Sequence, residues 1–145
     1  KTQLPVTVCL KPNDIALQQQ LSHRKISWIL NQNASVGMGS SIAAGIRLCT
    51  QWDATIIALA DMPYLSSHTY ASIAKVASSG KIIIPIHHKK KGNPVCFGSN
   101  FYSQLQELNG DKGGKDIVLK NPQAIIELEL EDEGILKDID KPADL

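Results

Sequence analysis

The chain of 145 residues carries 15 Lys and Arg against 14 Asp and Glu, a formal charge of +1. A balance so close to neutral argues against a non-specific nucleic-acid or membrane-surface binder and points to a small-molecule partner. The length suits a single domain, residues 1–145, with a core that needs no metal or disulfide staple, and no run of about eighteen apolar residues or signal peptide calls for a membrane.

In chain order, residues 4–10 read as a strand, 14–22 as a short helix capped by Asn13, and 26–30 as a second strand leading into Asn31-Gln-Asn33. A polar turn over 33–38 precedes a helix over 40–50, where Ile42, Ala43, Ile46 and Cys49 share one face. A strand ending at Asp61 follows, then a helix over 67–77 and an apolar strand over 81–86. Gly92-Asn93-Pro94 opens residues 95–97, an antiparallel or edge strand because a proline stands at its start. Residues 100–108 and 116–120 are helical, separated by Gly110-Asp-Lys-Gly-Gly114, and 124–130 alternate apolar and acidic residues as an exposed-edge strand does. This alternation predicts an α/β fold, a three-layer α/β/α sandwich with a mostly parallel sheet. Cys9, Cys49 and Cys96 are odd in number, far apart and set in apolar segments, so reduced core thiols and a cytoplasmic location are expected.

Two stretches carry chemistry. In Ala54-Thr-Ile-Ile-Ala-Leu-Ala-Asp61-Met62-Pro63 an apolar run stops at a carboxylate followed by a proline. Ligands of open α/β sheets gather at the carboxyl ends of strands, so Asp61 is a candidate metal ligand or catalytic group; a turn or capping aspartate before Ser66-Ser67 reads equally well. In Asn33-Ala-Ser-Val-Gly37-Met38-Gly39-Ser40-Ser41-Ile42 the glycines permit tight backbone geometry, and the helix that follows offers N–H groups to an anion or a base edge. Taken alone, that stretch reads better as a plain helix cap than as a binding element.

The order of motifs resembles the molybdenum cofactor cytidylyltransferases of the MobA-like nucleotidyltransferase superfamily. The motifs are the asparagine turn, Gly37-Met38-Gly-Ser40-Ser41-Ile42, Leu59-Ala-Asp61-Met62-Pro63, Lys91-Gly92-Asn93-Pro94-Val95, Leu108-Asn-Gly110-Asp111-Lys-Gly113-Gly114, and Gly134-Ile-Leu-Lys-Asp138-Ile139-Asp140-Lys-Pro142-Ala-Asp144-Leu145. The resemblance implies a Rossmann-like fold of the nucleotide-diphospho-sugar transferase type and a Mg²⁺-dependent enzyme that joins CTP, or GTP in a guanylyltransferase relative, to molybdopterin. It implies that Asp61 is the catalytic metal ligand, with Asp138 or Asp140 as the second carboxylate. Gly37, Met38, Gly39, Ser40 and Ser41, with Asp61, match the nucleotide-binding positions, while Asn93, Pro94 and Asp111 match the side that receives the pterin. A molybdoenzyme or its maturation factor is the implied protein partner. Lys89, Lys90 and Lys91 read better as a solvated turn than as a phosphate clamp.

The family opens with a strand and a glycine- and basic-rich triphosphate loop that has no counterpart before residues 4–10. The chain is therefore expected to enter at the family's second strand, lacking the first βα unit, to bind CTP poorly by itself and to associate through exposed strand edges. Two other classes compete. A receiver domain is disfavoured because no acidic pair lies near the start, whereas a non-catalytic molybdenum-cofactor binding or insertion partner would keep the pterin side and dispense with the triphosphate loop.

Overall fold

The computed structural model describes residues 4–141. Pro142, Asp144 and Leu145, which close the last motif, lie outside the described residues, as does the chain start at Lys1. In chain order the first elements are β1 (Thr7–Leu10), α1 (Ile15–His23), β2 (Ser27–Leu30), a 3-10 turn (Ala34–Val36), α2 (Met38–Ile46) and β3 (Ala54–Ile57). Then come α3 (Ser67–Val76), β4 (Ile82–His87), β5 (Lys90–Lys91), β6 (Val95–Gly98), α4 (Tyr102–Gln106), α5 (Lys115–Lys120) and β7 (Ile125–Glu129), with 3-10 turns at Ser99–Phe101, Pro122–Ala124 and Glu133–Leu136. Among the described residues no helix is long and apolar enough to cross a membrane.

The chain divides into two units. One holds described residues 4–51 together with 101–120. Its β1 and β2 pair in parallel, Thr7 opposite Ser27 through Leu10 opposite Leu30. Helix α1 packs on β2, and α2 packs on β1 and α4. Of the predicted apolar stripe of α2, Ala43, Ile46 and Cys49 are buried at a spacing of three residues, while Ile42 is only half-buried. The helix nonetheless starts at Met38, two residues earlier than the pattern suggests, and ends at Ile46, where residues 48 and 49 tighten to three-residue hydrogen bonds onto Gly45 and Ile46. Helix α1 corrects its predicted cap: Asn13 is spent in a turn closed by the Asp14 N–H on Lys11 O, so Asp14 becomes the N-cap residue without a side-chain cap bond.

The other unit holds residues 52–100 and the described residues from 121 onward. β6 lies between β3 and β4 and runs antiparallel to both, β5 folds back antiparallel on the end of β4, and β7 runs parallel to β4 with Ile82 opposite Ile125. The α/β class is as expected, with one sheet fully parallel and the larger one mixed. Ile73 of α3, Ile83 of β4 and Cys96 of β6 form the core, packed round by Ile56, Ile126 and Leu128. Burial of this kind gives roughly 1.5–3 kcal/mol per large aliphatic side chain. Ser66 caps α3, its hydroxyl accepting from the Thr69 N–H at 3.2 Å.

Two local expectations are corrected. β3 stops at Ile57 rather than reaching Asp61, because its ladder with β6 runs from Ala54 opposite Gly98 to Ile57 opposite Val95. The next position would face Pro94, which has no N–H to donate. Residues 58–60 therefore leave the sheet, and Asp61 stands in the turn beyond. The lysine run is exposed as expected, but it is a β-hairpin rather than a loop: His88 and Lys89 form its two-residue turn at φ 47° and 65°, and Lys90 pairs with His87.

Candidate functional site

The candidate residues fall into two sets, one in each unit. In the first unit, Gly37 connects the 3-10 turn to α2 at φ 128° and ψ 176°, a conformation open to glycine alone. A Cβ built there would lie 2.3 Å from the Gly110 carbonyl carbon and 2.5 Å from Asp111 Oδ1. On Gly39 it would lie 2.6 Å from Lys112 O. The protein's own 109–112 segment thus occupies the space these glycines leave, and Asp111 sits against Gly37 beside the predicted nucleotide positions. Met38 points outward and is 44% exposed.

The predicted anion-receiving helix end looks different in the structure. The Gly39 N–H donates to Gly110 O at 2.8 Å and the Ser40 N–H to Gly37 O at 3.2 Å, so two of the first-turn donors are already taken. What the turn presents is a rigid shape around Met38. Behind it lies Asn31, which the sequence shows in the asparagine turn without a role of its own: it follows β2 directly, is 5% exposed, and its amide reaches both Ser40 and Ser41. Burial pushes the neighbouring Cys9 thiol up from its ordinary range, offset in part by the Ser41 hydroxyl.

In the second unit the Asp61 carbonyl accepts from the Ile139 N–H at 2.8 Å, which ties the turn at the end of the apolar run to the Asp138-Ile139-Asp140 segment. That segment is not a strand, so strand alternation does not decide between its two carboxylates. Asp138 lines a cleft of about 170 Å³, whose lining includes neither Asp61 nor Asp140. Leu59, Met62, Ile135 and Leu136 give the cleft an apolar floor; Lys91, Asn93 and Asp138 give it polar walls. Asn93 is held there by its N–H on Ile135 O at 2.9 Å, and the peptide bond from Asn93 to buried Pro94 is cis. Gly92 must be glycine, since a Cβ would fall 2.3 Å from Ile135 O. Lys91 is paired with Glu127 at 2.8 Å. Such a cleft is smaller than the roughly 300–1,000 Å³ that encloses a whole drug-sized ligand, so it has room for no more than part of one.

Asp132 holds this arrangement and also escapes the sequence reading. Its carboxylate accepts from the Ser66 N–H at 3.0 Å, the Gly134 N–H at 2.9 Å and the Thr69 hydroxyl, joining the start of α3 to the 3-10 turn that leads to Asp138. Burial pushes its carboxyl up, but these hydrogen bonds, led by Thr69, outweigh that and hold it below the usual carboxylate range. The local signal is present, because an aspartate two residues before a glycine is an Asx-turn pattern.

The donor chemistry suits a hard divalent cation. Asp61 and Asp138 are exposed carboxylates on backbone segments joined by the Asp61–Ile139 bond. Among the described residues no cluster of three His, Cys, Asp or Glu forms a closed metal cage. Two carboxylates with substrate phosphates completing the shell fit a cation of the magnesium or manganese type.

The sequence matches the family model of the MobA-like NTP transferase domain over residues 2–125. Among solved structures, Rv0371C of Mycobacterium tuberculosis H37Rv in complex with manganese superposes with a TM-score of 0.78 at 19% identity, covering 95% of this chain and 73% of that one. A nucleotidyl transferase from Methanothermobacter thermautotroptrophicus gives 0.79 at 19% identity, over 95% of this chain and 68% of that one. Molybdopterin-guanine dinucleotide biosynthesis protein A from Archaeoglobus fulgidus gives 0.58 at 17% identity, over 95% and 73%. At these identities the likeness is one of fold. No curated protein matches the sequence.

Proposed function

The chain belongs to the MobA-like NTP transferase domain family, and from that premise we propose that it transfers CMP from CTP to molybdopterin. The observation that carries the reading is the Asp61–Ile139 hydrogen bond, which brings the Leu-Ala-Asp-Met-Pro turn to the segment whose Asp138 lines the Asn93 cleft.

In this reading an oxygen of the molybdopterin terminal phosphate attacks the α-phosphorus of CTP. The new P–O bond forms as the bond from the α-phosphorus to the bridging oxygen breaks, and pyrophosphate leaves with the electron pair. Asp61 and Asp138 would hold Mg²⁺, which would supply charge neutralisation on the phosphates. The protein's own task is orientation: Asn93 and the apolar floor of the cleft hold the pterin side. The turn at Gly37 to Ser41, taken within its own unit, is the candidate nucleotide element. No side chain acts as a nucleophile.

A guanylyl variant is the second reading, favoured by the likeness to the Archaeoglobus protein whose name specifies a guanine dinucleotide. Incubating the full-length protein with molybdopterin, Mg²⁺ and equal CTP and GTP, then resolving the products by mass, separates the two. The cytidine dinucleotide with pyrophosphate is the expected product; the guanosine product reverses the base assignment, and neither product removes the transfer reading.

A further inference from the structure

Asn31 and the two serines of α2 define each other's hydrogens. The Asn33 N–H can only donate, so the Asn31 atom facing it at 3.0 Å is the oxygen. The amide nitrogen then faces Ser40 Oγ at 2.9 Å and Ser41 Oγ at 3.0 Å and donates to both. Each hydroxyl, having accepted, sends its own proton elsewhere. The Ser40 proton goes to Asn33 O or Gly37 O, both 2.8 Å away. Every one of these partners lies in the protein. The backbone of Asn31 is fixed as well, its N–H on Leu10 O at 2.8 Å and its carbonyl under the Ala34 N–H at 3.1 Å.

We infer that Asn31 is the positioning residue of the candidate nucleotide turn, and that Ser40 and Ser41 serve as its struts instead of touching the ligand. The inference rests on the proposed nucleotide reading only for its affinity arm. Its physical basis is that a buried amide with both N–H groups spent on α2 fixes where Gly37 O and Asn33 O lie, and hence how Met38 is presented. A serine whose proton is committed inward has no donor left for a base or ribose.

The test compares Asn31→Asp, Asn31→Ala, Ser40→Ala and the Asn31→Ala/Ser40→Ala double variant in the full-length protein. Amide hydrogen exchange is read at Gly39 and Ser40, with Ile83 as an internal control, and CTP–Mg²⁺ affinity is read by calorimetry. Asn31→Asp keeps the acceptor for the Asn33 N–H but loses the donors, which keeps the test open if the alanine variant fails to fold. Expected are exchange at Gly39 and Ser40 faster by about tenfold with Ile83 unchanged, CTP binding weaker by about tenfold, and a double variant no worse than its poorer parent. Unchanged exchange in Asn31→Asp overturns the inference. So does a Ser40→Ala variant that loses affinity while its exchange stays put, which marks a direct ligand contact, and so do strictly additive losses. If wild-type protein binds neither CTP nor GTP, the nucleotide reading fails and the exchange arm alone decides the role of Asn31.

Discussion

Asp61 and Ile139, distant in sequence, meet through one backbone bond of 2.8 Å that uses no side chain of either residue. The carboxylates on both segments are therefore left exposed for chemistry while the main chain fixes where they stand. Asp61→Asn and Asp138→Asn should each leave the thermal midpoint near wild type, because neither carboxylate packs against the core. Each should cut metal-dependent transfer by more than about a hundredfold, the scale of lost charge stabilisation at a metal site. Manganese binding followed by electron paramagnetic resonance checks the assignment directly. Near-normal manganese affinity in Asp138→Asn removes that residue from the metal shell.

Gly37→Val should lower stability in urea by about 1–3 kcal/mol from its backbone conformation alone, with a further cost from the collision with the Gly110 carbonyl. Gly45→Ala is the control, because nothing lies within 4 Å of a Cβ there and helix propensity favours alanine. Equal midpoints for Gly37→Val and wild type would mean that the 109–112 segment moves aside without cost.

Asp132 should show in the acid limb of stability. Its carboxyl titrates lower in the folded chain than its ordinary value, so its contribution is complete above the unfolded pKa of about 3.9 and is lost as the pH falls through the folded value. Asp132→Asn should lose about 1–3 kcal/mol at neutral pH, as for hydrogen bonds to a charged acceptor. Its urea midpoint should also fall less than that of wild type between neutral and acid pH. Parallel pH profiles for the two proteins would contradict the assignment.

Burial pushes the Cys96 thiol up to about 12, and its side chain lies in the core with Ile73 and Ile83. Thiol labelling at pH 8 should therefore leave Cys96 unmodified in native protein and reach it only on unfolding, because the thiolate is the reactive form and burial suppresses it. Half-buried Cys9 should label ahead of Cys49 and Cys96. Rapid labelling of Cys96 would show that the sheet opens under native conditions.

The strands, the helix stripe on Ala43, Ile46 and Cys49, and the Ser66 cap are legible in the sequence because they depend on local period and local hydrogen bonds. The end of β3 is not, because it is set by Pro94 on the neighbouring strand. The hairpin turn at His88 and Lys89 lacks the Asn-Gly or Asp-Gly pairing that such turns favour, so nothing local announces it. Within the candidate site, the glycines of the Gly37 turn are visible, but their use is not. Gly110 and Asp111, which fill the space beside them, are far away in sequence, as are the Ser66 and Thr69 partners of Asp132.

The four-pair ladder of β3 on β6 fixes how the chain tolerates changes in length. From Ile57 to Asp61 the backbone runs a measured distance with one end pinned in the sheet and the other on Ile139. Adding or deleting one residue there changes the path between the two anchors, so Leu59 and Met62 cannot both keep their places in the cleft lining. The exposed turn at His88 and Lys89 has no such second anchor in the cleft, and extra residues there would lengthen only a hairpin tip. Insertions are thus fitted to one loop and barred from the other, and homologous chains should vary in length at the hairpin while keeping a constant count between the sheet and the aspartate.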